Sequence, residues 1–119
     1  SIMNEENLVI YQKWLDVAKD AYNLLKRFPK EEKFILAAQI RDAVINVGTL
    51  IIDVNEERSP HAKNEKANAL DRAIKKVRTL FRLAEEFEYI SHKNYLTICA
   101  KWIEVGRILG GWKRSFPQL

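Results

Sequence analysis

The chain has 119 residues, 47% of them apolar and 30% charged, and this length and composition predict a single globular domain over residues 1–119. A lone cysteine excludes an internal disulfide, and no apolar run approaches the roughly 20 residues that a membrane-spanning helix needs. The sequence shows no secretory leader, so we expect a cytoplasmic protein without a membrane partner.

The net charge of +4 is distributed unevenly. Residues 1–57 hold 7 basic and 10 acidic side chains, a net charge of −3, whereas residues 58–119 hold 13 basic and 6 acidic side chains, a net charge of +7. This asymmetry predicts a polyanionic partner for the second half, which could be nucleic acid, an anionic membrane or an acidic protein. A membrane surface is the weakest of the three, because the core requires the apolar residues of the basic helix and no hydrophobic face is left for lipid.

Four amphipathic helices are predicted in chain order. The first runs over about residues 4–28, with Asn4 as its N-cap, and Pro29 ends it because the residue before a proline avoids helical geometry. The second begins at Lys30 and runs to about Glu57. A helix in a bundle needs an apolar arc of somewhat over 100°, and the apolar arc of this helix is wider. We therefore expect an outward position such as Ile51 to face a second copy of the chain, with deep burial in a monomer as the alternative.

Residues 58–61 are predicted to form the loop before helix three, which covers about residues 62–90. Ser91 is predicted to cap helix four, over about residues 92–109, and Gly110 with Gly111 is expected to end that helix. Short connections between helices of this length predict an all-α fold, an up-down-up-down antiparallel four-helix bundle.

Helix three carries the most distinctive charge pattern. Residues 72–82 contain five cations and no acid. At about 100° per residue the cations share one arc, opposite an apolar arc that a core requires. A face that serves only solubility normally mixes both signs of charge. The pattern therefore favours a negatively charged ligand, with a solvated face as the alternative. The cations are Arg72, Lys75, Lys76, Arg78 and Arg82, and the apolar residues are Leu70, Ala73, Ile74, Val77, Phe81 and Ala84.

Helix four adds further cations that project away from its apolar stripe. Glu104 is the acid that opposes them along the helix. Near the end of this helix, two interpretations of Trp112 and Lys113 are open. The pair either stacks on a base and neutralises a phosphate, or packs against the end of the bundle. Gly106 and Gly110 would allow a neighbouring helix to approach closely. The cations are Lys93, Lys101, Arg107 and Arg114.

Residues that commonly carry catalysis or bind metals are sparse. A di-iron bundle requires two Glu-x-x-His pairs, but the residue three after Glu88 is Ser91, and one cysteine with two distant histidines cannot form a zinc site. Cys99 shares a helical stripe with Tyr95 and Trp102, so we expect a buried side chain rather than a nucleophile. No phosphate-binding loop or catalytic triad is recognisable. The sequence therefore predicts a protein that is not an enzyme and has no metal or cofactor.

Three segments resemble a known family. Residues 28–34 read FPKEEKF, followed by QIRDA at residues 39–43, and residues 108–115 read ILGGWKRS. These segments resemble the small bacterial four-helix-bundle proteins encoded in 23S rRNA intervening sequences. Within that superfamily they most resemble the accessory variability determinant (Avd) of diversity-generating retroelements. Residues 50–56 read LIIDVNE, where intervening-sequence proteins have an Asn-Ile-Ala-Glu-Gly-like ending, and this departure fits an Avd-type member better.

The resemblance implies a barrel-shaped homopentamer that binds nucleic acid and a reverse transcriptase. Such a protein supports mutagenic cDNA synthesis from a template RNA. We therefore predict a non-catalytic, oligomeric accessory protein that binds RNA or DNA through its basic face. The alternative is a structural oligomeric adaptor that docks on an acidic protein partner. The predicted nucleic-acid-binding residues are Arg72, Lys75, Lys76, Arg78, Arg82, Arg107 and Arg114.

Overall fold

The computed structural model describes residues 8–117, whose regular secondary structure is helical throughout. Successive helices are joined by short connections and pack side by side, and the last also packs against the first. The predicted all-α four-helix bundle is confirmed. The helices are α1 (Val9–Leu25), α2 (Leu36–Glu56), α3 (Pro60–Glu86) and α4 (His92–Arg114), and a 3-10 turn (Lys30–Glu32) precedes α2.

The core is formed by the inward apolar stripe of each helix. On α3, all six residues predicted to face the core are at most 9% exposed. The large side chains of Trp102 on α4 and Ile40 on α2 are fully buried. Within residues 8–117 no polar or charged side chain is fully buried. Burial of apolar surface is therefore the main source of stability.

The first two helices differ from the prediction at their ends. The predicted cap Asn4 lies outside the described residues. Helix two does not begin at Lys30, because residues 30–32 form a 3-10 turn and α2 begins at Leu36. The Glu32 carboxylate accepts a hydrogen bond from the Leu36 backbone N–H at 3.0 Å. This side chain satisfies one of the free donors at the start of α2, which fixes the helix start at that point.

Helix α3 is displaced toward the N-terminus relative to the prediction. It begins at Pro60 within the predicted loop, because Ser59 Oγ accepts a hydrogen bond from the Ala62 N–H at 3.4 Å and proline suits the first helical position. It ends at Glu86 rather than near residue 90. Glu88 adopts a left-handed φ of 62°, and the Tyr89 N–H donates to the Ala84 carbonyl at 2.9 Å. This is the geometry of a Schellman C-cap.

The expectation that Gly110 and Gly111 end helix four is wrong, since α4 continues to Arg114. Neither glycine has a positive φ. The last turn is held by contacts that offset the poor helix propensity of glycine, including packing of Trp112 against the core. The predicted cap at the other end is confirmed, because Ser91 Oγ accepts from the Asn94 N–H at 3.0 Å.

The prediction that Ile51 faces outward is also wrong, because this side chain is fully buried. Trp14 of α1 explains part of the wide apolar arc of α2. Its indole Nε1 donates to the Val44 carbonyl at 2.9 Å, and its ring lies over Gly48. The exposed large apolar side chain of α2 is Ile45, at 49%.

Gly48 and Gly106 offer a matched test of this packing. A Cβ at Gly48 would lie 2.2 Å from Cζ2 of Trp14, whereas one at Gly106 meets nothing within 4 Å. We expect Gly48→Ala to lower the free energy of unfolding by about 1–3 kcal/mol through overpacking. Gly106→Ala should raise it by about 0.5–1 kcal/mol, since alanine favours the helix. Urea unfolding followed by circular dichroism measures both. Equal effects at the two positions would contradict the close contact of Trp14 with α2.

Candidate nucleic-acid interface

The basic residues of α3 lie on the outer side of the bundle. Packing of the apolar stripe against α2 and α4 directs the opposite arc toward solvent. Four of the five cations are exposed, and Arg78 is half-buried. The exposed ones are Arg72, Lys75, Lys76 and Arg82.

Acids that flank residues 72–82 pair with two of these cations. Lys75 Nζ lies 3.1 Å from Asp71 Oδ2. The Arg82 guanidinium lies 2.9 Å from Glu86 Oε2, and this hydrogen bond raises the pKa of Arg82. In contrast, Arg72 and Lys76 form no ion pair with any residue of the described range. The charge available to a ligand is therefore smaller than the acid-free segment indicated, and it is concentrated on the unpaired side chains.

Three of the predicted residues meet in one groove between α3 and α4. Lys75, Arg78 and Arg82 line it together with Thr79 and Tyr95, and its volume is about 410 Å³. The centre of the Arg82 guanidinium lies 6.0 Å from the Tyr95 ring centre. Cations beside an exposed hydroxyl and an aromatic ring suit a phosphate group and its attached sugar or base.

Tyr95 was not predicted as a site residue, because its spacing places it on the apolar stripe of helix four. In the structure it is half-buried at the edge of that stripe. Burial, and then a hydrogen bond with the Cys99 side chain, raises the pKa of Tyr95, so the phenol stays neutral beside the cations. Tyr95 follows His92 by three residues and precedes Cys99 by four. This spacing alone does not show whether the side chain lines the groove or lies in the core.

Arg78 is the innermost cation of the groove. Its Nε is buried and has no hydrogen-bond partner among the described residues. Its charge acts on the Cys99 thiol and favours the thiolate, although burial is the larger effect and raises the pKa of Cys99. The geometry therefore leaves Arg78 with an unused donor beside the groove.

The predicted cations of α4 are not part of this groove. Arg107 Nε donates to Glu104 at 2.9 Å, and this hydrogen bond lowers the pKa of Glu104 and raises that of Arg107. Arg114 is exposed at the last position of α4. The neighbouring Lys113 contacts Asn68 near the start of α3, so Arg114 lies toward the end of the bundle remote from Arg82.

The structure favours packing of the Trp112–Lys113 pair against the bundle end. The Trp112 ring meets Phe116 edge-on, with ring centres 5.5 Å apart. Lys63 Nζ lies 5.9 Å from the same ring, and Lys113 Nζ donates to Asn68 Oδ1 at 2.8 Å. Both side chains of the pair therefore have partners inside the chain.

Among residues 8–117, no group of three or more His, Cys, Asp or Glu side chains is arranged to hold a metal ion. The Glu85 carboxylate contacts the imidazole of His92, and its Oε2 lies 3.7 Å from Arg82 Nη1. Both partners of this carboxylate are therefore side chains of the protein. No helix in this range has the length and apolar character required to cross a bilayer.

The fold and this surface define a four-helix-bundle protein with a basic outer face. The bAvd-like family model matches residues 8–116, and the chain belongs to that family. The resemblance noted in the sequence is thereby confirmed. A protein of unknown function from the S23 ribosomal protein family of Bacteroides thetaiotaomicron has a similar crystal structure, with a TM-score of 0.80. It is 23% identical over 90% of this chain and 96% of that chain, which shows a shared fold. No curated protein sequence is significantly similar to the chain.

The environment of Cys99 predicts a slow thiol. Because burial holds its pKa above the ordinary value, little thiolate forms at about pH 8.5, where a free thiol is half ionised. We expect iodoacetamide to alkylate Cys99 at least about tenfold more slowly in the folded chain than in urea. Mass spectrometry over a time course measures both rates. Equal rates would mark an accessible, reactive thiol and would reopen the possibility of nucleophilic catalysis.

Proposed function

We propose that the chain is a non-catalytic accessory protein of a diversity-generating retroelement. It binds template RNA or its DNA copy through the basic surface of α3 and partners a reverse transcriptase in mutagenic cDNA synthesis. Membership of the bAvd-like family supports the accessory role. The observation that carries nucleic-acid binding is the basic surface itself, with two exposed cations free of ion pairs next to a groove lined by three more.

The chemistry of this surface favours phosphate contacts over base reading. Arg78 and Arg82 present planar guanidinium groups, which match phosphate oxygens in a bidentate manner. Both arginines lie on α3, which is held in place by packing against α2 and α4. Such contacts fix the position of a nucleic acid without reading its sequence. Affinity then arises mainly from counterion release and falls steeply with salt.

Arg72 and Lys76 are the residues of choice for a test, because they are exposed and unpaired. We expect Arg72→Glu with Lys76→Glu to weaken binding of a structured RNA by about tenfold or more, and to lower the slope of log affinity against log salt by about two. Fluorescence anisotropy over a salt series measures both quantities. The matched control is Lys26→Glu with Lys30→Glu, which changes the net charge equally at two exposed lysines on the α1 side of the bundle.

Two outcomes would contradict this function. If the control pair weakens RNA binding as much as the α3 pair, RNA binding is not specific to the α3 surface. If the parent chain binds RNA weakly and without salt dependence, the alternative applies. The basic face would then serve the adaptor function and match an acidic protein surface, for which charge complementarity is equally suitable.

We also propose that the chain forms a homo-oligomer, for which the family resemblance implies five subunits. The surface that supports self-association is on α4 rather than α2. Leu96 and Ile103 are 53% and 51% exposed, lie seven residues apart on one helical face, and are joined by the exposed Ala100. A shallow groove of about 510 Å³ borders this stripe, between Lys13 of α1 and Glu104 of α4. An exposed apolar stripe of this kind is typical of an interface.

We expect Ile103→Asp to lower the oligomer mass, because a carboxylate would be buried against apolar side chains of the next subunit. Native mass spectrometry measures the subunit number, with circular dichroism as a check of the fold. Ile45→Asp is the matched control, an exposed isoleucine of α2. Loss of mass in the control alone would move the interface to α2. A monomeric parent chain would overturn oligomerisation itself.

A further inference from the structure

A second positively charged region lies between α1 and α2, apart from the groove between α3 and α4. It is an apolar pocket of about 330 Å³ between the end of α1, the 3-10 turn and the start of α2. Leu25, Phe28 and Ala37 form its floor and are at most 8% exposed. Tyr22, which is 38% exposed, forms one wall. The volume is at the lower end of the range for small-ligand pockets, and it suits one large apolar side chain.

Cations surround this apolar floor. The lining includes Lys26, Lys30, Lys33 and Arg41, and it contains no acid. None of the four forms an ion pair within residues 8–117. Arg41 Nη2 donates to the Lys33 carbonyl at 2.7 Å, which holds the guanidinium at the rim with other N–H donors unused.

One of the two acids on the turn is directed away from the pocket. Glu32 accepts hydrogen bonds from the Tyr89 hydroxyl at 2.8 Å and from the Leu36 N–H at 3.0 Å, so its charge is engaged by α2 and by the segment after α3. The cluster of cations is notable because it lies within residues 1–57, whose net charge is −3. Four cations around an apolar pocket, none of them in an ion pair with a described residue, favour an anionic ligand, because a face that serves only solubility normally mixes both signs of charge.

Two large apolar side chains extend the apolar surface beside the pocket. Phe34 is 81% exposed and Ile35 is 58% exposed, both in the turn that leads into α2. The fold does not require this exposure, since the neighbouring Leu36 and Ala37 fill the core. Exposed apolar residues with a polar rim commonly mark a site of protein–protein interaction.

We propose that this pocket binds a linear acidic peptide segment of a partner protein. One apolar side chain of the peptide occupies the pocket, and flanking carboxylates meet the cations of the rim. A peptide fits this pocket better than a nucleic acid, because the pocket is concave and the aromatic residue of its floor, Phe28, is only 8% exposed, whereas a base needs an open aromatic face on which to stack. The site shares no residue with the groove of α3, and α1 lies diagonally across the bundle from α3. It is therefore separate from the proposed nucleic-acid surface.

The probe is a short fluorescein-labelled peptide with one central phenylalanine flanked on both sides by aspartate and glutamate. We expect the parent chain to bind this peptide. In NMR spectra, the chemical shifts of backbone amides should change most at Tyr22, at the residues on either side of Pro29, and at Ala37. Replacing the phenylalanine of the probe with serine should weaken binding by about tenfold or more, since the apolar contact is lost. Lys26→Glu with Lys30→Glu should weaken it similarly, by reversing the charge of the rim.

The control is Arg72→Glu with Lys76→Glu, which changes the net charge equally on α3 and should leave peptide affinity unchanged. The proposal is overturned if millimolar peptide causes no shift changes at the pocket, if the phenylalanine and serine probes bind equally, or if the control weakens binding as much as the pocket variant. It is also overturned if a single-stranded RNA displaces the peptide and loses affinity in the pocket variant, because the pocket then belongs to an RNA surface.

Discussion

The apolar stripe of α3 is the constraint on which the rest of the structure depends. Its inward residues, from Leu70 to Ala84, are buried between α2 and α4. A helix has about 3.6 residues per turn, so the residues that alternate with this buried stripe point to the other side of the helix. The five cations of residues 72–82 occupy those positions and therefore face outward. Moving a cation inward would require removing a charge from water without a partner. The basic outer face is thus a direct consequence of how the core is packed.

The same constraint explains which features were predictable from the sequence. Helix number, order and the buried face of α3 depend on periodicity, which the sequence shows directly. The ends of the helices depend on individual contacts between distant residues. Glu32 caps α2 and also accepts a hydrogen bond from Tyr89, 57 residues away, and Trp112 at the end of α4 packs onto the core despite two preceding glycines. Local sequence preferences cannot show such contacts.

The sequence indicated the basic arc of α3 but not which of its cations are free to meet a ligand. A window of residues 72–82 excludes Asp71 and Glu86, the acids that pair with its outer cations one helical turn away. It also excludes Tyr95, which reaches the groove from a neighbouring helix. Charge counted along a chain overestimates the charge that a ligand meets, because i,i+4 pairs cross the limits of any chosen segment. The unpaired Arg72 and Lys76 emerge only after these pairs have been assigned.

The two proposed sites are expected to respond to different local charges despite the small size of the protein. The bundle is about 21–22 Å across, whereas the Debye length at physiological ionic strength is about 8 Å. Cations at the end of α1 therefore contribute little to the potential that a phosphate meets on the outer face of α3. Net charge, here only +4, is a poor guide to binding in such a molecule. Each partner responds mainly to the charges close to its own contact surface, so the two proposals for this small bundle, a nucleic acid on α3 and an acidic peptide between α1 and α2, are compatible with each other.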